Sequence, residues 1–171
     1  MLGMHLFEFS SSAPDDPAEW RAIDDPVMGG VSKSQFMTTE EGAAFTGTVS
    51  LEHGGGFASV RAPAADYDLG EHDGLRLHLR GDGKRYWLTT YTDAGGPISY
   101  RTPIKPPKEW ATLVVPFSDL TPYRRGTKVP DAPPFDPAKL RTPGFLIADE
   151  QEGPFRLEVA WIRADGVEAE S

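Results

Sequence analysis

Apolar and polar residues alternate with a period of two through much of the chain. In "GLRLHLRGDG", Leu75, Leu77 and Leu79 fall on one side and Arg76, His78 and Arg80 on the other. "PFRLEVAWIRAD" repeats the pattern with Phe155, Leu157, Val159 and Trp161. A strand with one buried face produces this period. Further strands are predicted at 6–9, 43–51, 57–61, 86–92, 98–102, 111–117 and 144–149, punctuated by Gly and Pro. In "YWLTTYT", Tyr86 falls on one face and Trp87 and Tyr91 on the other, so one set belongs to the core. No segment holds helical spacing over three turns. "DPAEW" (16–20) and "DPAKL" (136–140) each predict one helical turn, with Asp as cap and Pro at the first position. About ten strands with so little helix imply an all-β sandwich.

The inward half of these strands predicts a core of Phe45, Phe57, Leu75, Leu77, Leu79, Val115, Phe145, Leu157, Val159 and Trp161. Residues 6–9 and 155–163 are expected to pair, since chain ends of compact domains tend to lie together. One segment breaks the pattern. Residues 121–143 hold six prolines and no strand period, and read as a long loop. It is either a stiffened flap over a sheet edge or a lid or partner-binding loop. The whole chain, 1–171, reads as a single domain with a frayed tail after 165.

Charge narrows the function classes. The formal net charge is −9, against the basic face a nucleic-acid binder needs. An anionic membrane surface is disfavoured for the same reason. No apolar stretch approaches the ~20 residues that span a bilayer, and the N-terminus has no basic leader pattern. A cytoplasmic protein without membrane insertion is expected. The absence of cysteine excludes disulfides and thiolate metal sites.

Two glycine runs invite a ligand-cradle reading: "DDPVMGGVSKS" from Asp24 and "HGGGFASVR" from His53. Neither has the spacing of a dinucleotide or nucleotide loop, and no helix follows. Both read first as turns. His5, His53, His72 and His78 offer no pair at metal-ligand spacing, so no metal or cofactor is expected. No carboxylate pair or Ser-His-Asp pattern nominates a catalytic residue. The aromatics of "YWLTTY" permit carbohydrate stacking as well as core packing. The least bland residues are charged ones beside turns. Arg61 follows the second glycine run, Arg80 precedes the "GDG" turn, and Arg124 and Arg125 sit in 121–143. Arg61 is expected to be partly buried and bonded to a carboxylate or loop carbonyls, with Asp25 the first candidate.

The order of these motifs resembles the complex I intermediate-associated protein family, assembly factors for NADH:ubiquinone oxidoreductase, from Trp20 to Ile162. The family's "D-x-V-M-G-G-x-S" falls on Asp25, Val27, Met28, Gly29, Gly30 and Ser32. Its "G-G-F-x-S-x-R" falls on Gly55, Gly56, Phe57, Ser59 and Arg61. Its "G-D-G-x-x-Y" falls on Gly81, Asp82, Gly83 and Tyr86, and its "R-G" on Arg125 and Gly126. Where the family has two Asn before its glycines, this chain has His53 and Gly54 within "EHGGGF". The resemblance implies a jelly-roll, galactose-binding-like β-sandwich that acts as a non-catalytic binding or chaperoning module. A protein partner is implied, with carbohydrate as the alternative ligand and an uncharacterised enzyme as a second alternative. Without a transit peptide or extra domain, the chain looks like a bare bacterial member. The implied binding residues are Asp25, Ser32, Ser59, Arg61, Arg80, Asp82, Tyr86 and Arg125.

Overall fold

The computed structural model describes residues 4–10, 15–16, 19–24, 33–49, 57–93, 98–124, 127–148, 151 and 153–166. These carry thirteen strands: β1 (Met4–Glu8), β2 (Arg21–Asp24), β3 (Lys33–Thr39), β4 (Gly42–Val49), β5 (Ala58–Arg61), β6 (His72–Arg80), β7 (Tyr86–Tyr91), β8 (Ile98–Ile104), β9 (Ala111–Pro116), β10 (Thr121–Arg124), β11 (Thr127–Lys128), β12 (Thr142–Ile147) and β13 (Gly153–Gly166). One sheet has six strands in the order β3-β4-β13-β6-β9, with β1 also on β13. The other has seven, in the order β11-β10-β8-β7-β12-β5-β2. The pairings are antiparallel.

The period of two becomes a core between the sheets. Leu75, Leu77 and Leu79 of β6, Phe45 of β4, and Leu157 and Val159 of β13 are fully buried against Val60 of β5, Leu88 of β7 and Phe145 of β12. Val115 is nearly so. Tyr86 belongs to this core, and Trp87 and Tyr91 to the opposite face. Trp20 ties the sheets at one end, packing on Phe7 of β1 at 4.9 Å, Phe36 of β3 at 4.8 Å and Phe145 of β12 at 6.3 Å between ring centres. The expected pairing of the chain's ends is present, with Phe7 opposite Ile162 and Glu8 opposite Trp161.

Two predicted core residues are only half-buried. Phe57 precedes the first paired residue of β5. Trp161 is turned out by a β-bulge between Val159 and Trp161. An extra residue, Ala160, reverses the alternation, so Ile162 and Ala164 point inward and Trp161 outward. The bulge lies where two strands meet on one edge of β13. β4 ends at Val159, β1 begins beyond, and the Ala160 carbonyl accepts the Phe9 N–H at 2.9 Å. Gly42 sits against this junction with φ +153°, and a Cβ there would collide with the Val159 carbonyl oxygen.

Residues 121–143 are not the irregular loop the prolines suggest. β10 pairs with β8 and β11. Pro122 lies within β10 opposite Tyr100, and its carbonyl accepts the Val129 N–H at 3.0 Å. Proline removes a donor but keeps its acceptor, and strands near a sheet edge tolerate it. The helical turn at 136–140 forms as a 3₁₀ turn, Pro137–Lys139, capped by Asp136 accepting from Ala138 N. At 16–20 only the Glu19 N–H to Asp16 carbonyl bond is described. The tail beyond 166 lies outside the described residues. Among those residues, no helix is long and apolar enough to cross a membrane.

Core and bulge give separable outcomes in urea unfolding. Leu77→Ala is expected to cost about 2–5 kcal/mol, and Trp161→Ala clearly less. Gly42→Ala is expected to cost at least about 1–3 kcal/mol, from backbone strain at its positive φ, with the clash against the Val159 carbonyl adding to it.

Candidate functional site: the two outer faces

Each sheet presents one face away from the core, and the two faces differ in chemistry. On the six-stranded sheet, His78 stacks between Trp110 and Trp161, with ring centres at 5.4 and 5.3 Å and planes within 12°. Its Nδ1 lies 3.0 Å from Thr112 Oγ1. Arg80 lies over Trp110 at 4.9 Å and Arg163 over Trp161 at 3.8 Å. Both cations are matched by acids. Arg80 donates Nε to Glu158 Oε2 at 2.8 Å, and Nη2 to Glu158 Oε1 at 3.2 Å and Glu41 Oε1 at 2.8 Å. Arg163 grips Glu8 through Nε at 2.8 Å, and Arg156 lies 3.4 Å from Glu158. The Arg80 hydrogen bonds, helped by Arg156, hold the Glu158 carboxyl below its ordinary value.

Asp82 serves the turn between β6 and β7. Its Oδ1 accepts from Tyr86 Oη at 3.0 Å and Lys84 N at 3.1 Å, and its Oδ2 from Arg156 N at 2.7 Å. One carboxylate thereby ties the turn to β13. Burial, and next the Asp82 charge, push the Tyr86 phenol far above its ordinary value, so it remains a donor.

The seven-stranded sheet carries a different surface. Register places Arg21, Arg61, Gly144, Thr89, Arg101 and Thr121 in one row across β2, β5, β12, β7, β8 and β10. Gly144 keeps the middle of the row low, since a Cβ there would meet the Val60 carbonyl oxygen and crowd Thr89. Ser59, Thr89, Ser99 and Thr142 form a buried polar floor. Aromatic rings carrying guanidinium groups stand beside it. Arg101 lies 4.6 Å from the Trp87 ring and 4.3 Å from the Tyr123 ring, and those rings meet edge-on at 5.6 Å. Arg61 lies 4.1 Å over Tyr91 and donates Nη2 to its hydroxyl at 2.8 Å. Arg61 is therefore partly buried as expected; its described bond is to the Tyr91 phenol, and Asp25, the first expected partner, lies outside the described residues. At this end of the row a cleft of about 320 Å³ opens, lined by Arg21, Arg61, Ala62, Pro63, Ala64 and Thr142.

The residues singled out from the sequence are thus dispersed. Ser59 and Arg61 share the outer face of the seven-stranded sheet. Arg80 lies on the opposite face of the sandwich, and Asp82 and Tyr86 belong to the turn clamp. Asp25, Ser32 and Arg125 lie outside the described residues. Sequence reasoning missed Arg21, Arg101 and Tyr123. Arg101 carries a readable signal, the alternation of Ile98 and Tyr100 with Ser99 and Arg101. Tyr123 was masked by its prolines, and Arg21 becomes visible only with strand register. Among the described residues, no three His, Cys, Asp or Glu side chains cluster as a metal would require.

Two stacked antiparallel sheets with these connections define a jelly-roll β-sandwich of the galactose-binding-like kind, and solved structures agree. The family 11 carbohydrate-binding module from Clostridium thermocellum, in complex with a β-1,3-1,4-mixed-linked tetrasaccharide, superposes with a TM-score of 0.67 at 15% identity, covering 97% of each chain. The same module from the cellulosomal cellulase Lic26A-Cel5E gives 0.66 at 15%, over 96% of this chain and 95% of that one. An agarase gives 0.64 at 14%, over 97% of this chain and 25% of that one. The family described as complex I intermediate-associated protein 30 (CIA30) matches residues 7–159, and the chain belongs to it.

The Glu158 cluster predicts a pH dependence. A carboxyl with a lowered native pKa contributes stability above its unfolded value, about 4.5. That contribution is lost as pH falls toward the native pKa. Glu158→Gln should therefore flatten the acid limb below about pH 5 in unfolding free energy measured against pH, relative to wild type.

Proposed function

We propose that this chain is a non-catalytic binding module that docks a protein partner on the outer face of its seven-stranded sheet, in the assembly of a respiratory or other multisubunit complex. The observation that carries the reading is the composition of that face. Trp87, Tyr91, Tyr123, Arg61 and Arg101 gather on a rigid sheet. Trp, Tyr and Arg are the residues over-represented where protein interfaces gain most of their energy. Guanidinium groups lie over the Trp87, Tyr91 and Tyr123 rings, which limits the flat ring surface open to a sugar. On the six-stranded sheet, Arg80, Arg156 and Arg163 meet carboxylates of their own sheet. The family description ties its members to an intermediate of complex I.

A carbohydrate ligand is the second reading, favoured by one observation. The chain superposes over nearly its whole length on a module holding a mixed-linked tetrasaccharide, and its own candidate face also carries aromatic rings.

One paired experiment separates the readings. Tagged wild type, Trp87→Ala and Trp110→Ala are used for crosslinked capture from the native cell, and for affinity electrophoresis in mixed-linked β-glucan. The expected result is a captured protein lost in Trp87→Ala and kept in Trp110→Ala, with no retardation by glucan. Retardation by glucan that Trp87→Ala abolishes would establish the sugar reading instead. Capture indifferent to Trp87→Ala would remove the face from consideration.

A further inference from the structure

Arg21 and Arg61 stand directly opposite each other on β2 and β5, on the same face and at the mouth of the 320 Å³ cleft. Like charges directly opposite in an antiparallel pair are destabilising. The pair occurs in a chain of net charge −9, where acids to neutralise it are plentiful. Arg80, Arg141, Arg156 and Arg163 each lie within 3.4 Å of a carboxylate oxygen. Neither Arg21 nor Arg61 reaches one among the described residues. Glu19, two positions before Arg21, is exposed and makes no described ion pair.

Resting on the proposed protein-binding reading, we infer that the Arg21–Arg61 cleft is an oxyanion subsite that receives an acidic side chain of the docked partner. The Arg61 guanidinium is already oriented, by its hydrogen bond to the Tyr91 hydroxyl and by the ring beneath it. Its remaining N–H groups form a fork suited to a carboxylate. Pre-orientation removes much of the ordering cost of binding. Arg21 adds a second exposed fork from across the strand pair, and Thr142 adds a hydroxyl to the lining. Ala62, Pro63 and Ala64 supply apolar wall and no competing acid. The volume sits at the small end of ligand clefts (~300–1,000 Å³). That suits one residue-sized anion better than a run of sugars. A carboxylate is favoured over a phosphate because the field of a chain with charge −9 opposes a dianion more strongly than a monoanion.

The test uses the full chain labelled with ¹⁵N, titrated at low salt with acetyl-Gly-Glu-Gly-amide, acetyl-Gly-Gln-Gly-amide and inorganic phosphate. The expected result is that the Glu peptide shifts the Arg61 Nε–H and the Arg21 and Ala62 amide resonances, while the Gln peptide does not. Arg61→Lys and Arg21→Gln should each weaken the Glu peptide roughly tenfold. Arg21→Gln should also melt at or above the wild-type temperature, because a like-charge contact is relieved. A purely structural arginine would instead lower the melt. The inference is overturned if the Glu peptide leaves Arg61 silent, if the Gln peptide shifts the same resonances as strongly as the Glu peptide, if phosphate saturates them at lower concentration, or if Arg21→Gln binds unchanged and melts lower. Partner capture keeps the two levels apart. Capture lost in Trp87→Ala but intact in Arg21→Gln removes the cleft and leaves the face. Capture intact in both removes the face itself.

Discussion

The backbone hydrogen bonds of β13 organise the six-stranded sheet. One edge of this strand pairs with β6 from Glu158 to Gly166. The other is shared, first by β4 and then by β1. The register shift at Ala160 is made against β6, at the level where the other edge passes from β4 to β1. The Ala160 bulge provides the extra residue, and the carbonyl at that point is satisfied by Phe9 N–H. The same residue decides which side chains enter the core. Phe155, Leu157 and Val159 precede the shift, and Ile162 and Ala164 follow it. The stack of Trp161 on His78 exists because the count of residues is odd.

Most of the fold was legible because a half-buried strand writes its geometry directly into the sequence. β6 is the clearest case, where three leucines alternate with Arg, His and Arg. The bulge was illegible, since one added residue leaves the local alternation plausible on either side. Trp161 continues the run of Phe155, Leu157 and Val159 on paper, while backbone pairing sends it outward. β10 was hidden for another reason. Pro122 weakens a strand reading, yet its carbonyl still bonds, and Tyr123 beside it helps build the candidate face. The Arg21–Arg61 pair could not be read at all, because forty positions separate residues that only register brings together.

The two outer faces show how one architecture can divide its polar residues. On the six-stranded sheet, cations, carboxylates and rings satisfy one another, with the Arg80–Glu158 fork the tightest example. Residues there with a functional look in the sequence, Arg80 among them, have visible structural partners. On the seven-stranded sheet the polar floor lies beneath guanidinium groups resting on aromatic rings. A guanidinium held by a ring remains able to donate in its own plane, so packing and hydrogen-bonding capacity coexist there. Burial and charge type fail to distinguish the faces; among the described residues, Arg80, Arg156 and Arg163 of the six-stranded sheet meet carboxylates, whereas Arg61 of the other sheet is held by a phenol.

The pairing of β1 with β13 also has a mechanical meaning. Met4 lies opposite Ala164, so the described chain's two ends leave from the same end of an antiparallel pair. Tension between them would load the hydrogen bonds of that pair one after another, like a zipper, rather than all at once in shear. The module should therefore yield at low force when pulled from that end of the pair. Traction through the flanking chain would peel β1 first, and with Phe7 and Phe9 would go the ring packing that holds Trp20 between the layers.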